Sequence, residues 1–83
     1  MNIRANATPN PNAIKFTADS PLFENRVIAK KGQGSDSQLV SQLLELEGVD
    51  NVFGFGDFIT VNKTSAASWD DLLPKVETIF NRF

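Results

Sequence analysis

Thr8-Pro9-Asn10-Pro11-Asn12-Ala13-Ile14-Lys15-Phe16 decides how the first part of this chain is organised. Pro9 and Pro11 each hold their own φ at about −65° and carry no amide donor. Each also disfavours helix at the residue before it. The two asparagines can close turns on nearby backbone. Residues 8–12 are therefore predicted to form a rigid, extended connector, called the Pro connector below, rather than part of a helix.

Strands are predicted on both sides of the Pro connector. Residues 3–8 and 13–18 alternate between apolar and polar side chains, which is the period of a half-buried strand. The second strand is expected to fold back on the first. A third strand is predicted at residues 26–31, where Val27 and Ala29 share one face. Its lysines favour an edge position, because charge discourages further strand pairing.

A hairpin is predicted in the second half of the chain. Val49–Phe55 and Phe58–Lys63 flank the dipeptide Gly56-Asp57. Glycine at the first central position suits a type II′ turn, so the two arms should pair antiparallel. Gly54, inside the first arm, indicates either a bulge or a close approach to the backbone.

A first helix is predicted to begin after Ser35, which forms a capping box with Gln38. Apolar residues then recur at helical spacing and form one stripe at Leu39, Val40, Leu43 and Leu44. Gly48 follows the last turn, where a left-handed residue often ends a helix.

A second helix is predicted after Ser68, with Asp70 and Asp71 in its positive first turn. Pro74 lies inside the apolar stripe of this helix, and an interior proline costs about 3 kcal/mol. We therefore expect a short first turn at Trp69–Leu73, followed by a restart or a kink at Pro74.

These elements give the order β-β-β-α-β-β-α in one domain spanning residues 1–83. Both helices have one apolar face, and the strands are patterned to bury one side. The predicted fold class is therefore α+β. It is a two-layer sandwich with both helices on one face of a largely antiparallel sheet.

Composition restricts the chemistry available to the chain. It contains neither cysteine nor histidine, so catalytic triads and histidine bases cannot be built. We expect no enzyme activity, and no metal or cofactor bound by this chain alone.

Charge and hydropathy restrict the partners and the location. A net charge of −2 disfavours nucleic acid as a partner. No apolar run reaches the length that spans a membrane, and the N-terminus lacks the hydrophobic region of a signal peptide. The expected state is a cytoplasmic monomer.

Four segments resemble the N-terminal domain of Nfu/NifU-type iron–sulfur cluster scaffold proteins. They are residues 8–16, 44–53, 57–61 and 69–74, the last including Pro74. The resemblance implies a role in iron–sulfur cluster assembly or delivery, with iron binding at the level of the family. In full-length members a Cys-x-x-Cys pair in a separate C-terminal domain holds the cluster. Because this sequence has no cysteine, the resemblance implies a stand-alone, non-catalytic interaction module acting in trans.

The partner implied by the resemblance is a cysteine-bearing iron–sulfur scaffold or an apo-target protein. The residues predicted on or near the contact surface are Asn10, Asn12, Lys15, Phe53 and Asp57. The asparagines would hold the Pro connector, Lys15 would supply charge and Phe53 an apolar anchor. The rings of Phe53, Phe55 and Phe58 leave two interpretations open: mostly packed, or partly exposed as an anchor.

An alternative function is binding of a small ligand or phospho-group in front of the first helix. Free backbone amides and the helix dipole attract anions at such a position. The residues predicted for this alternative site are Lys30, Lys31, Gly32, Gly34 and Ser35.

Overall fold

Five strands and two helices occupy residues 2–33 and 37–83, the parts of the chain that this computed structural model describes. Their order is the predicted one. The elements are β1 (Ile3–Ala7), β2 (Ala13–Ala18), β3 (Val27–Lys30), α1 (Gln38–Glu45), β4 (Val49–Phe55), β5 (Phe58–Lys63) and α2 (Trp69–Phe80).

The strands form one sheet in the order β1-β2-β5-β4-β3, and every neighbouring pair is antiparallel. Strand β2 folds back on β1 across the Pro connector, with Ala5 opposite Phe16. Strand β3 lies at one edge, as its lysines indicated. The predicted α+β class and antiparallel sheet are thus confirmed.

One hydrophobic core joins both helices to one face of the sheet. Its centre is Phe16, which is fully buried. The Phe16 ring centroid lies 6.3 Å from that of Trp69 and 5.7 Å from that of Phe80. Such pairs stabilise by about 0.5–1.5 kcal/mol beyond their burial. These ring contacts therefore join α2 to β2, the strand beside the central strand β5.

Helix α1 begins later than the sequence indicated. The residue at its N-cap is Ser37, whose Oγ accepts a hydrogen bond from the Val40 amide at 3.2 Å. The prediction of Ser35 as the cap was therefore wrong, and Ser35 itself lies outside the described residues. Ser37, two positions closer to the apolar stripe, caps the helix instead.

Gly48 has the predicted positive φ, 97°, but it does not end the helix. The helix ends at Glu45 with Leu46 as its C-cap, and Gly48 lies in the turn that the Val49 amide closes on the Leu46 carbonyl.

Helix α2 runs through Pro74 as one element from Trp69 to Phe80. The predicted restart at Pro74 was therefore wrong, and the kink given as the other possibility stays a prediction. Buried side chains lie on both sides of the proline, at Leu72 and Val76. Each stabilises the helix on the sheet by about 1.5–3 kcal/mol, which together exceeds the cost of the proline. Packing therefore overrides the local preference for a break.

The hairpin of β4 and β5 has the predicted geometry. Phe55 pairs with Phe58, which leaves a two-residue turn, and Gly56 has a φ of 60° while Asp57 does not have positive φ. A type II′ turn requires this combination.

Gly54 is explained by a close approach rather than by a bulge. A Cβ atom at position 54 would lie 2.8 Å from Cζ of Phe23, so the Phe23 ring covers this backbone. The register shift in this strand pair lies instead between Val49 and Asn51.

Candidate functional site

The sheet has one face that neither helix covers, called the open face below. The register places alternate residues of each strand on it, opposite the side that carries Phe16, Ile59 and Val61. Its members are Arg4, Asn6, Lys15, Thr17, Ile28, Lys30, Asn51, Phe53, Phe55, Phe58, Thr60 and Asn62.

Four apolar side chains form a continuous strip across β3, β4 and β5, called the apolar band below: Ile28, Phe53, Phe55 and Phe58. Ile28 is paired with Phe53, and Phe55 with Phe58. The ring centroids of Phe53 and Phe58 lie 6.1 Å apart, which joins the two pairs. Ile28 is 67% exposed and Phe55 50% exposed. Contiguous exposed apolar surface of this kind typically marks an interaction site.

The structure shows which of the hairpin phenylalanines are packed and which is exposed, and a role as a partner anchor stays a prediction. None of Phe53, Phe55 and Phe58 belongs to the buried core. Phe53 and Phe58 are half-buried against each other, and Phe55 is the exposed ring. The two-residue turn pairs Phe55 with Phe58 directly, so both must point to the same face.

Cationic side chains border the apolar band. The ammonium of Lys15 lies 4.4 Å from the ring centroid of Phe58, a cation–π contact worth about 0.5–1 kcal/mol when exposed. Arg4 pairs with Thr17 on β2, and Thr17 pairs with Phe58 on β5, so Arg4 lies two strands away from Phe58 at the same level of the sheet. Lys30 is two residues beyond Ile28 on the same strand face. Arg4, Lys15 and Lys30 are all exposed.

The predicted contact residues do not form one cluster. Lys15 and Phe53 both lie on the open face, each paired with Thr60. Asp57 is exposed in the hairpin turn at one end of β5, whereas Asn12 meets the other end of β5 at Lys63. Six residues of strand span about 20 Å, so a compact contact would include one end or the other.

The two predicted asparagines hold the Pro connector in place. Oδ1 of Asn10 accepts a hydrogen bond from the Asn12 amide at 2.9 Å, which closes the predicted turn. Oδ1 of Asn12 accepts from Nζ of Lys63 at 3.0 Å. The indole of Trp69 donates to the Pro11 carbonyl at 3.2 Å. The connector is thus bound to β5 and α2.

Ile28, Phe55 and Phe58 belong to the apolar band, although they were not predicted as contact residues. Their signal was present in the sequence, since Ile28 alternates with Val27 and Ala29 and so had to point away from the core. The sequence did not show that β3 lies beside β4, which places Ile28 next to Phe53.

Three residues of the alternative anion site, Lys30, Lys31 and Gly32, lie in the described part of the chain. Nζ of Lys31 donates to the carbonyls of Leu44 and Leu46, at 2.8 Å each. These carbonyls are at the C-terminal end of α1, about 12 Å from its first turn. Lys30 lies on the open face, and Gly32 has a φ of 90° in the turn after β3. Gly34 and Ser35 lie outside the described residues.

The donor set of this chain does not fit an iron–sulfur cluster. The sequence has no cysteine and no histidine, which are the usual ligands of such clusters. Among residues 2–33 and 37–83, no three acidic side chains are grouped so that they could hold a metal ion.

A cleft of about 360 Å³ separates the two helices on the opposite side of the molecule. Nη1 of Arg82 bridges it by donating to Oε1 of Gln42 at 2.9 Å. Its other lining residues are Glu45, Leu46, Lys75, Thr78 and Ile79. Acidic and basic groups are mixed there, so the cleft favours no single ligand charge.

Neither described helix is long and apolar enough to cross a bilayer.

Comparison with protein families gives one match over nearly the whole chain. The family described as "Scaffold protein Nfu/NifU N terminal" matches residues 3–83.

Several curated proteins are similar in sequence. A NifU-like protein of Schizosaccharomyces pombe is 35% identical over 93% of this chain and 31% of its own length. The human protein named NFU1 iron-sulfur cluster scaffold homolog, mitochondrial, is 38% identical over 92% of this chain and 31% of its own length. Conserved virulence factor C of Staphylococcus aureus is 29% identical over 95% of this chain and 21% of its own length. The chain thus spans less than a third of these relatives.

Solved structures agree with the fold. The crystal structure of protein SAV1430 of Staphylococcus aureus superposes with a TM-score of 0.86 at 34% identity, covering 96% of this chain and 99% of that one. The solution structure of a NifU-like protein of Saccharomyces cerevisiae has a TM-score of 0.83 at 24% identity, covering 98% of this chain and 76% of that one. The latter likeness concerns the fold alone.

Proposed function

This chain belongs to the family of Nfu/NifU scaffold N-terminal domains, and from that premise we propose that it is a non-catalytic protein-interaction module in iron–sulfur cluster assembly or delivery. The human relative is named as an iron-sulfur cluster scaffold homolog. That relative is about three times longer than the matched segment, so the role of the whole protein cannot be carried over unchanged. What the matched domain can supply is recognition.

The observation that carries the proposal is the apolar band on the open face. Ile28 and Phe55 are the large apolar side chains of this face left most exposed, at 67% and 50%. Interfaces concentrate their binding energy in buried aromatic anchors surrounded by polar side chains. Here Phe53 and Phe58 form the half-buried base, and Ile28 and Phe55 are the groups that a partner would bury.

The cluster is cargo for this proposal and is held elsewhere. Since residues 1–83 contain no thiol or imidazole, the proposal assigns the cluster ligands to a partner. The partner we propose is a cysteine-bearing scaffold or an apo-target protein, bound in trans. The module would hold that partner in place, while the partner's own thiolates exchange the cluster.

The predicted contact residues have different parts in this proposal. Phe53 and Lys15 would contact the partner on the open face. Asp57 would contact it only if the interface extends to the hairpin turn. Asn10 and Asn12 would act indirectly by holding the Pro connector. A monomer in the cytoplasm stays a prediction, and the human relative is named as mitochondrial.

An amide-resolved NMR titration tests the proposal. The ¹⁵N-labelled chain is titrated with a cysteine-bearing Nfu-type scaffold domain, apo and cluster-loaded, and then with an apo iron–sulfur target. We expect shifts in β4, β5 and β3, the strands that bear the apolar band. If none of these proteins shifts any resonance, the proposed function is wrong.

Two exposed phenylalanines provide a matched pair of variants. Phe55→Ser removes the most exposed ring of the apolar band, whereas Phe83→Ser removes a ring of similar exposure, 44%, at the end of the chain. The first should weaken partner binding by about tenfold or more, as an interface anchor does. The second should leave it unchanged. Equal effects would show that the interface is not on the open face.

The alternative function, anion binding in front of α1, stays a prediction. No contact among the described residues favours it, and Gly34 and Ser35 lie outside them. Gly34→Pro would remove one backbone amide there. A loss of inorganic phosphate binding in this variant, with partner binding intact, would establish the alternative site.

A further inference from the structure

The net charge of −2 conceals a separation of charge between the two layers. The five strands contain four basic residues and one acidic residue: Arg4, Lys15, Lys30, Lys63 and Asp50. The helices and the residues beside them, 37–48 and 68–83, contain five acidic and two basic residues: Glu45, Glu47, Asp70, Asp71, Glu77, Lys75 and Arg82. The sheet layer is therefore cationic and the helix layer anionic.

On the open face this positive charge surrounds the apolar band. Lys15 lies in the row of Phe53, and its ammonium stands over Phe58. Arg4 lies on the edge strand β1, two strands away from Phe58, and Lys30 lies on the edge strand β3, two residues after Ile28.

Carboxylates lie around the edges of this surface. Asp50 is near the start of β4 and Asp57 is in the hairpin turn. Asp19 lines a pocket with Arg4, and Glu24 lines another with Ile28. The open face as defined above includes no acidic residue.

The spacing of the band matches that of a helix surface. Paired side chains on neighbouring strands have Cβ atoms about 4.5–5.5 Å apart. Side chains three or four residues apart on a helix are about 5–6 Å apart. Two pairs, Ile28 with Phe53 and Phe55 with Phe58, thus present a stripe that about two turns of an amphipathic helix would cover.

We infer that the open face binds an acidic amphipathic helix of a partner protein. Its apolar stripe would cover the apolar band, and its flanking carboxylates would face Arg4, Lys15 and Lys30. This inference rests on the proposed function and specifies the chemistry of the partner. Complementary charge is the argument for an acidic occupant, since it excludes basic partners and speeds encounter.

Single-stranded nucleic acid is the competing occupant, because aromatic side chains on a sheet can stack on bases. The described structure favours it less. Three cations border the band, and the opposite layer of the molecule is anionic. Nucleic-acid binding depends on neutralising many phosphates.

The test uses three probes measured by calorimetry and NMR on the full chain. The first is an 18-residue synthetic helix with leucine and phenylalanine on one stripe and glutamate beside it. The second has glutamine in place of every glutamate. The third is a twelve-nucleotide oligothymidine. We expect the acidic helix to bind, the glutamine helix to bind about tenfold more weakly, and the oligothymidine not to compete.

Charge-reversal variants locate the binding. Lys15→Glu should weaken the acidic helix by about tenfold and the glutamine helix much less. Lys75→Glu, on the exposed surface of α2, reverses the same charge in the other layer and should change neither. Circular dichroism and thermal unfolding check that both variants fold, and Lys15→Gln provides a milder change at the same position.

The outcomes separate this inference from the proposed function. If the scaffold or target binds but Lys15→Glu and Phe55→Ser have no effect, the inference is wrong and the proposed function stands. If the acidic helix binds as expected while no iron–sulfur protein does, the proposed function fails and the surface chemistry stands. Equal affinity for both helices, absence of helix binding, or displacement by oligothymidine would overturn the inference.

Discussion

The ring of Phe23 lies against the backbone of Gly54, so that a Cβ atom at position 54 would come within 2.8 Å of Cζ of Phe23. Phe23 belongs to the segment between β2 and β3, and Gly54 is the next-to-last residue of β4. This contact explains why a residue without a side chain stands inside a strand. It also fixes the segment that leads into β3, and hence the strand that presents Ile28.

Gly54→Ala should destabilise the protein, because the new methyl group would displace the Phe23 ring. Overpacking of this kind costs about 1–3 kcal/mol. The measurement is urea unfolding followed by circular dichroism. Phe23→Ala removes the obstruction, so adding Gly54→Ala to it should cost much less than in the wild type. Additive costs in the double variant would show that the Phe23 ring is not the cause.

Lys31→Met should destabilise the protein by about 0.5–2 kcal/mol. The ammonium donates to the carbonyls of Leu44 and Leu46 at the C-terminal end of α1. A positive charge at this end also interacts favourably with the helix dipole. Lys30→Met is the matched control and should change the free energy of unfolding by less than about 0.5 kcal/mol. Unfolding at low and high salt measures both. Equal effects would mean that the Lys31 contacts add no stability.

Phe16→Ala should remove most of the stability of the domain. Phe16 is fully buried between Trp69 and Phe80, and truncating such a ring costs about 3–5 kcal/mol. Phe16→Leu keeps much of the volume and should leave a folded protein for comparison. Phe55→Ala, at a half-exposed ring, should cost much less. A small loss for Phe16→Ala by thermal unfolding would show that the core is not centred there.

Pro74→Ala should stabilise the protein by about 1–2 kcal/mol. It restores the amide donor inside α2 and removes a ring that crowds the preceding turn. Part of the gain is offset, because alanine leaves the unfolded chain more flexible. The exposed Lys75→Ala, one residue later, is the control for helix propensity. A loss of stability in Pro74→Ala would mean that α2 depends on the proline.

Periodicity and turn chemistry suffice to predict most of the secondary structure. The alternation in β2, the apolar stripe of α1 and the Gly56-Asp57 turn each state a local preference that the folded protein keeps. They are readable because backbone geometry restricts few residues at a time. The same local rules misplace the start of α1 and break α2 at Pro74, because burial of Leu72 and Val76 is a non-local term.

The candidate site was only partly predictable. Lys15 and Phe53 were identified as contact residues, and the structure brings them to one face. Asn12 was predicted on or near the contact surface as a residue that holds the Pro connector, and it is half-buried and bound to Lys63. The sequence around an asparagine does not show whether its side chain contacts solvent or a distant residue. Here the distant residue is a lysine 51 positions away.

The sequence by itself determined that the chain cannot ligate an iron–sulfur cluster with cysteine or histidine, since the residue types are absent. It also determined which side of β2 faces the core, because Ile14, Phe16 and Ala18 alternate with more polar residues and the side-chain period of a strand is two. Only the tertiary structure decided that β3 lies beside β4, which joins Ile28 to Phe53 and completes the apolar band. That pairing is set by burial of Ala29 and Val52 beneath the helices, a long-range packing term that no local pattern contains.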